Sequence, residues 1–151
     1  MFKRIFPLAL TVLCIPFAVQ ASETPICVKA DKNEIAALFD RWNTTLQTGD
    51  ARKVADNYSA DAVLLPTLSN QPRTDDAGRI DYFEHFLENK PVGAINTRTV
   101  QLGCNNATDT GTYTFTFADN SKVEARYTFT YAWVDNQWLI TSHHSSKMPE
   151  A

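Results

Sequence analysis

The chain reads as a single α+β domain, and three patterns say so. Apolar residues recur at helical spacing in its first half, aromatic residues alternate with threonine in its second half, and short turn signals rather than linkers separate the later segments. Helices first and an antiparallel run of strands after them predict helices packed on one face of a bent sheet. At 151 residues the chain has length for one domain and one core. A composition of 44% apolar and 21% charged residues, with 5 Gly and 7 Pro, excludes disordered, collagen-like and low-complexity architectures.

Met1 to Ala21 has the form of a secretory signal peptide: Lys3 and Arg4, an apolar run from Ile5 to Val19, and Val19-Gln20-Ala21 as the cleavage site. Pro7 and Pro16 interrupt the run, which is short of the roughly 20 residues that span hydrocarbon. Cys14 follows Val12-Leu13 rather than small residues, which argues against lipidation. Cleavage leaves 130 residues bound for the outside of the cell, expected to be the bacterial periplasm, with 22–30 an N-terminal extension and 31–149 the folded domain. Without Lys3 and Arg4 there remain 12 basic and 17 acidic residues, a net charge of −5. That charge disfavours nucleic acid and anionic membrane surfaces as partners. Cys27 and Cys104 remain, and in an oxidising compartment a bridge between them is the expectation, with two buried thiols as the alternative.

Asp31 followed by Glu34 opens the first helix, carried by Ile35, Leu38, Phe39, Trp42 and Leu46 and stopped at Gly49. Asp50 caps a short second helix expected to run to about Ser59, and a strand follows over Ala62 to Pro66. Thr67 to Thr74 is a polar loop placed to lie over an opening. Asp75 or Asp76 then caps a third helix whose apolar row is Ile80, Phe83 and Leu87, widened by Tyr82 and Phe86. Strands are expected at Asn96 to Cys104, Gly111 to Ala118, Lys122 to Val134 and Trp138 to Lys147, with turns at Asp119-Asn120-Ser121 and Asp135-Asn136. Tyr113, Phe115, Phe117 and Tyr127, Phe129, Tyr131 fall on one face, and the intervening threonines on the other.

The order Gly49-Asp50, Tyr58, Asp61-Ala62-Val63, Tyr82-Phe83-Glu84 and Trp138-Leu139-Ile140 running into His144 resembles the nuclear transport factor two-like (SnoaL-like) superfamily. Within it, the chain is similar to the association domain of calcium/calmodulin-dependent protein kinase II and its small secreted bacterial homologues. The resemblance covers nearly all of 31–149 and is most specific at Trp138 to Pro149. It implies a cystatin-like cone, a strongly curved antiparallel sheet around a long N-terminal helix and two shorter ones, and homodimers or rings built through the sheets. It also implies a small cavity that in the kinase holds arginines and binds carboxylates. Here Arg79 stands in place of a cavity histidine, the two strand arginines fall on Tyr113 and Phe129, and His144 matches a histidine of the last strand. No kinase motif occurs.

These observations lead to expectations about the site. Ligand-binding residues are Trp42, Tyr58, Arg79, Tyr82, Tyr113, Phe129 and His144, around a small carboxylate or aromatic molecule. Glu124, Arg126, Thr128 and Thr130 form the contact between copies, with an ion pair joining Glu124 and Arg126. The rival reading is an isomerase, dehydratase or cyclase with His144 as base and Tyr113 as donor. Against it, no inward strand position is expected to carry Asp or Glu. His143 and His144 are adjacent on a strand and face opposite ways, so no metal site is expected, and His85 is expected in solvent. The five glycines form no nucleotide fingerprint, and no cofactor is expected.

Overall fold

The structure, a computed structural model, describes residues 26–150. The expected leader at 1–21 lies outside the described residues. Helix α1 (Lys32–Leu46) begins at Asp31, whose carboxylate accepts from the amides of Asn33 and Glu34, both at 2.8 Å. Its buried stripe is Ile35, Leu38, Phe39, Trp42 and Leu46. Gly49, at φ +68°, reverses the chain into α2 (Ala51–Ala55), capped by Asp50. Helix α2 is shorter than its sequence suggests, because the Asn57 side-chain amide donates to the carbonyls of Lys53 and Val54 and closes it. Strand β1 (Tyr58–Leu65) therefore starts at Tyr58 rather than Ala62. Asp75 caps α3 (Asp76–Leu87), accepting from the Gly78 amide at 2.7 Å.

The remaining strands are β2 (Val92–Leu102), β3 (Asn106–Thr116), β4 (Lys122–Val134) and β5 (Gln137–Lys147). Strand β3 begins five residues before the expected Gly111, because Asn105 adopts φ +58° and makes the β2–β3 connection tight, and β2 begins four residues before the expected Asn96, where Val92 pairs with Thr116 at the far end of the longer β3. The sheet order is β1-β5-β4-β3-β2, antiparallel throughout except that β1 joins β5 in parallel. The sheet is thus mixed rather than wholly antiparallel.

Two register shifts decide which side chains face the helices. Asn96 is an extra residue between the pairs Ile95–Tyr113 and Thr97–Thr112, so inward positions on β2 change from Gly93 and Ile95 to Arg98 and Val100. Thr141 is extra between the pairs Tyr131–Ile140 and Thr130–Ser142, so inward positions on β5 change from Trp138 and Ile140 to His143 and Ser145. Gly111 permits the first shift, because a Cβ there would lie 1.9 Å from the Thr97 carbonyl oxygen.

Helices α1 and α3 pack on the aromatic face, and α2 packs against those two helices. Tyr113, Phe115, Tyr127, Phe129 and Tyr131 are buried there against Phe39, Trp42, Phe83 and Phe86. Each such ring removed from water contributes roughly 1.5–3 kcal/mol. Cys27 and Cys104 are joined by a disulfide, and the Asn105 side chain accepts from the Val28 amide and donates to the Ile26 carbonyl. The extension is thereby fastened to the β2–β3 connection. Among the described residues no helix is long and apolar enough to cross a membrane.

Candidate functional site

Between α1, α3 and the sheet lies a narrow slot. Trp42, Phe83, Phe86 and Phe115 form its walls, and Thr67, Tyr113, His143 and Ser145 supply its polar floor. The enclosed space is about 20 Å³, room for roughly one water. That is smaller than the expected ligand cavity, because the rings of the aromatic face fill it. Leu68, Tyr82 and Phe86 separate the slot from an open groove of about 340 Å³ that holds Arg73, Asp81 and His85.

The floor is a hydrogen-bonded chain. Trp42 Nε1 donates to the Tyr58 hydroxyl at 3.1 Å, and Tyr58 lies 2.9 Å from His143 Nδ1. His143 Nε2 is 3.4 Å from the Tyr113 hydroxyl, which donates to Ser145 Oγ at 2.5 Å. Ser145 in turn bonds Thr67. The His143 ring stacks on Phe129 with 3.9 Å between centroids. Burial first, and then the neighbouring His144, lower the His143 pKa to about 3. Burial raises Tyr82 to about 12 and Tyr113 further still. These are the titratable groups that line the slot, and none changes charge near neutral pH.

The expected ligand set is only partly assembled. Trp42, Tyr82 and Tyr113 line the slot, while Tyr58 and Phe129 support His143 from behind. His144 is exposed on the outer face, so the expectation that it enters the cone is corrected to His143. The cause is the extra residue Thr141, which inverts the alternation set by Trp138 and Ile140. The reading of His144 as a catalytic base paired with Tyr113 falls with it. Arg79 does not reach the slot. It is fully buried and donates to the carbonyls of Ala62 at 2.7 Å and of Ser59 and Ala60 at 3.2 Å, fixing α3 to the irregular stretch of β1.

A second correction concerns the carboxylates. Asp109 faces inward and is fully buried, accepting from the Tyr127 hydroxyl at 2.9 Å and lying 3.0 Å from Arg98 Nε. Burial raises its pKa, against the lowering pull of Tyr127 and Arg98. Continuing the alternation of Phe115 and Tyr113 back through Gly111 finds it. Ser145 carried no such signal, since its neighbours His144 and Ser146 are polar on both sides, and Thr67 lies in a loop where no alternation applies.

On the outer face Glu124, Arg126 and His144 are exposed, and Thr128 and Thr130 are half-buried. Thr99, Thr110, Thr128, His144 and Leu65 form one row across all five strands. His85 is exposed, and its pKa is raised mainly by the bond to the Asp81 carbonyl. Among the described residues no group of three His, Cys, Asp or Glu side chains converges as a metal site.

A bent five-stranded sheet closed over three helices, with an aromatic cone inside, defines an NTF2-like protein of cystatin-like fold. The chain belongs to the calcium/calmodulin dependent protein kinase II association domain family, whose model matches residues 31–149. It is 51% identical to a solved structure from Xanthomonas campestris described as a domain of that family, with a TM-score of 0.78 over 82% of this chain and 91% of that one. An NTF2-like protein of unknown function from Pseudomonas putida is 18% identical, with a TM-score of 0.70 over 79% and 87% of the two chains. An NTF2-like protein with a cystatin-like fold from Novosphingobium aromaticivorans is 14% identical, with a TM-score of 0.66 over 80% and 84%. The last two likenesses concern the fold alone. No curated protein sequence matches the chain at a significant level.

Proposed function

We propose that this protein is a secreted, self-associating association-domain protein, a homodimer or larger ring whose cone takes a small ligand. The observation that carries the assembly is the outer face of the sheet. Among the described residues the three helices lie on the other side, leaving Glu124, Arg126, Thr128 and Thr130 without a covering layer. In a two-fold contact each copy presents the same patch, so Glu124 of one copy meets Arg126 of the other, and the pair is self-complementary. Threonine hydroxyls flanking that pair supply further hydrogen bonds between copies. The leader-like Met1 to Ala21 and the disulfide between Cys27 and Cys104 support secretion.

Light scattering on the size-fractionated protein at micromolar concentration tests the assembly. A mass of two or more chains is expected. Arg126→Glu or Glu124→Arg should each weaken the contact, and the two together should restore it. A mass of one chain for the unaltered protein, in a sample with native circular dichroism, overturns the proposal. The catalytic reading has no comparable support, because the slot lacks a group that titrates near neutrality.

A further inference from the structure

The polar floor of the slot is a continuous chain of hydrogen-bonded groups. Trp42 Nε1 can only donate, so the Tyr58 oxygen accepts from it and gives its own proton to His143 Nδ1. The remaining imidazole proton is then on Nε2, facing the Tyr113 oxygen. Tyr113 donates to Ser145, and the Ser145 and Thr67 hydroxyls are hydrogen-bonded to each other. Ser145 already accepts from Tyr113, so its bond with Thr67 uses one of the two hydroxyl protons and leaves the other for a ligand oxygen at the edge of the slot.

Phe83, Phe86, Phe115, Phe117 and Val123 line the rest of the slot, and among the described residues no Lys or Arg does. His143 stays neutral because burial holds its pKa at about 3. A carboxylate entering here would trade its hydration for one hydroxyl donor with no opposing charge, whereas an uncharged oxygen gives up far less. The charged groups Arg73 and Asp81 are paired with each other at 2.6 Å in the open groove, on the far side of Tyr82.

We infer that the slot takes an uncharged, flat, mostly apolar ring carrying one oxygen function, such as a phenol or aryl ketone, with that oxygen bonded at Thr67 and Ser145. This rests on the reading of the cone as a ligand site and departs from the carboxylate that the resemblance implied. The ring enters from the groove, where Leu68 is 59% exposed and Tyr82 is half-buried. Displacing these two side chains joins groove to slot and makes the room, while α1 and the sheet keep the polar floor in place.

Isothermal titration with para-cresol, toluene and benzoate near neutral pH tests the inference on the unaltered protein and on Ser145→Ala. Para-cresol should bind at least about tenfold more tightly than benzoate. Ser145→Ala should weaken para-cresol by roughly three- to tenfold while leaving toluene unchanged, and toluene binding also reports that the slot is intact. Benzoate binding as tightly as para-cresol, or an equal loss of toluene and para-cresol in the variant, overturns the neutral-oxygen chemistry but leaves the cone a ligand site. Absence of binding by all three at about 10 mM overturns the ligand site itself.

Discussion

Arg98 and Asp109 form an ion pair of 3.0 Å on the concave face of the sheet, and they meet there because Asn96 is one residue too many for β2. Were the alternation to run unbroken through Asn96, Arg98 would share the outward parity of Ala94. Asp109 is fully buried and the Arg98 side chain is 23% exposed, so each charge depends on the other for most of its compensation. Breaking such a pair leaves one buried charge and costs about 3–5 kcal/mol. Arg98→Met should therefore lower unfolding stability in urea by that amount. Arg98→Met combined with Asp109→Leu should recover most of it, and a double variant no more stable than Arg98→Met would contradict the account.

The same extra residue depends on Gly111. A methyl group there would overlap the Thr97 carbonyl, which is backbone and cannot swing aside. Gly111→Ala is expected to cost more than 1 kcal/mol, beyond the usual penalty or gain of a strand Gly-to-Ala change. Backbone amide shifts should concentrate on Thr97 and Arg98. Unchanged stability together with unchanged shifts at those two residues would show that the bulge does not need glycine.

Alternation made the polarity of β3 and β4 readable: Tyr113 and Phe115, Tyr127 and Phe129 point inward, and Glu124 and Arg126 outward. It failed where a strand gains a residue. A bulge alters parity without altering composition, and in Thr141-Ser142-His143-His144-Ser145-Ser146 both faces are polar, so no contrast marks which histidine is inside. Asp109 was readable in principle, but Asn106 to Thr110 looks like a turn because Asn, Asp and Thr also favour turns. Arg79 shows a third kind of difficulty. A first-turn arginine looks like a ligand group until the structure shows the irregular stretch of β1 between Tyr58 and Val63 turning three carbonyls toward it.

That arrangement makes Arg79 a structural clamp rather than a binding residue. Its planar guanidinium reaches the carbonyls of Ala62, Ser59 and Ala60 together, which the single ammonium of lysine does not match. Arg79→Lys should cost about 2–4 kcal/mol in urea unfolding, with Arg79→Met at least as damaging. A fully stable Arg79→Lys protein would contradict the clamp.

The disulfide closes a loop that contains both long helices, and it fixes the extension beside Asn105. Such a bridge contributes roughly 2–4 kcal/mol, chiefly by restricting the unfolded chain. Cys27→Ser with Cys104→Ser should lower the midpoint of unfolding accordingly, without changing the far-ultraviolet dichroism of the folded protein. Equal midpoints for the oxidised protein and the double variant would show that the bridge adds nothing.

His143 ties stability to pH in a definite direction. Its folded pKa, lowered by burial to about 3, lies below the value of about 6.5 expected when unfolded. Above about pH 6.5 both states are neutral and the contribution is complete. Between about 6.5 and 3 the unfolded chain binds a proton that the folded chain refuses, so stability falls with pH by up to about 1.4 kcal/mol per unit. Asp109 works oppositely: its raised pKa makes the folded state hold a proton longer, which favours folding as pH falls through the carboxylate range. The raised pKa of His85 also favours folding as pH falls, so its effect has to be cancelled by comparison within one background. The measurement is therefore the difference in Tm between the unaltered protein and His143→Gln from about pH 6.5 to 5, above the carboxylate range. The variant should start lower, because it loses its bonds to Tyr58 and Tyr113, and then lose less with acid, so that the two curves converge. Parallel curves across that interval would mean that His143 carries a proton in the folded state, and with it the neutral floor of the slot would be lost.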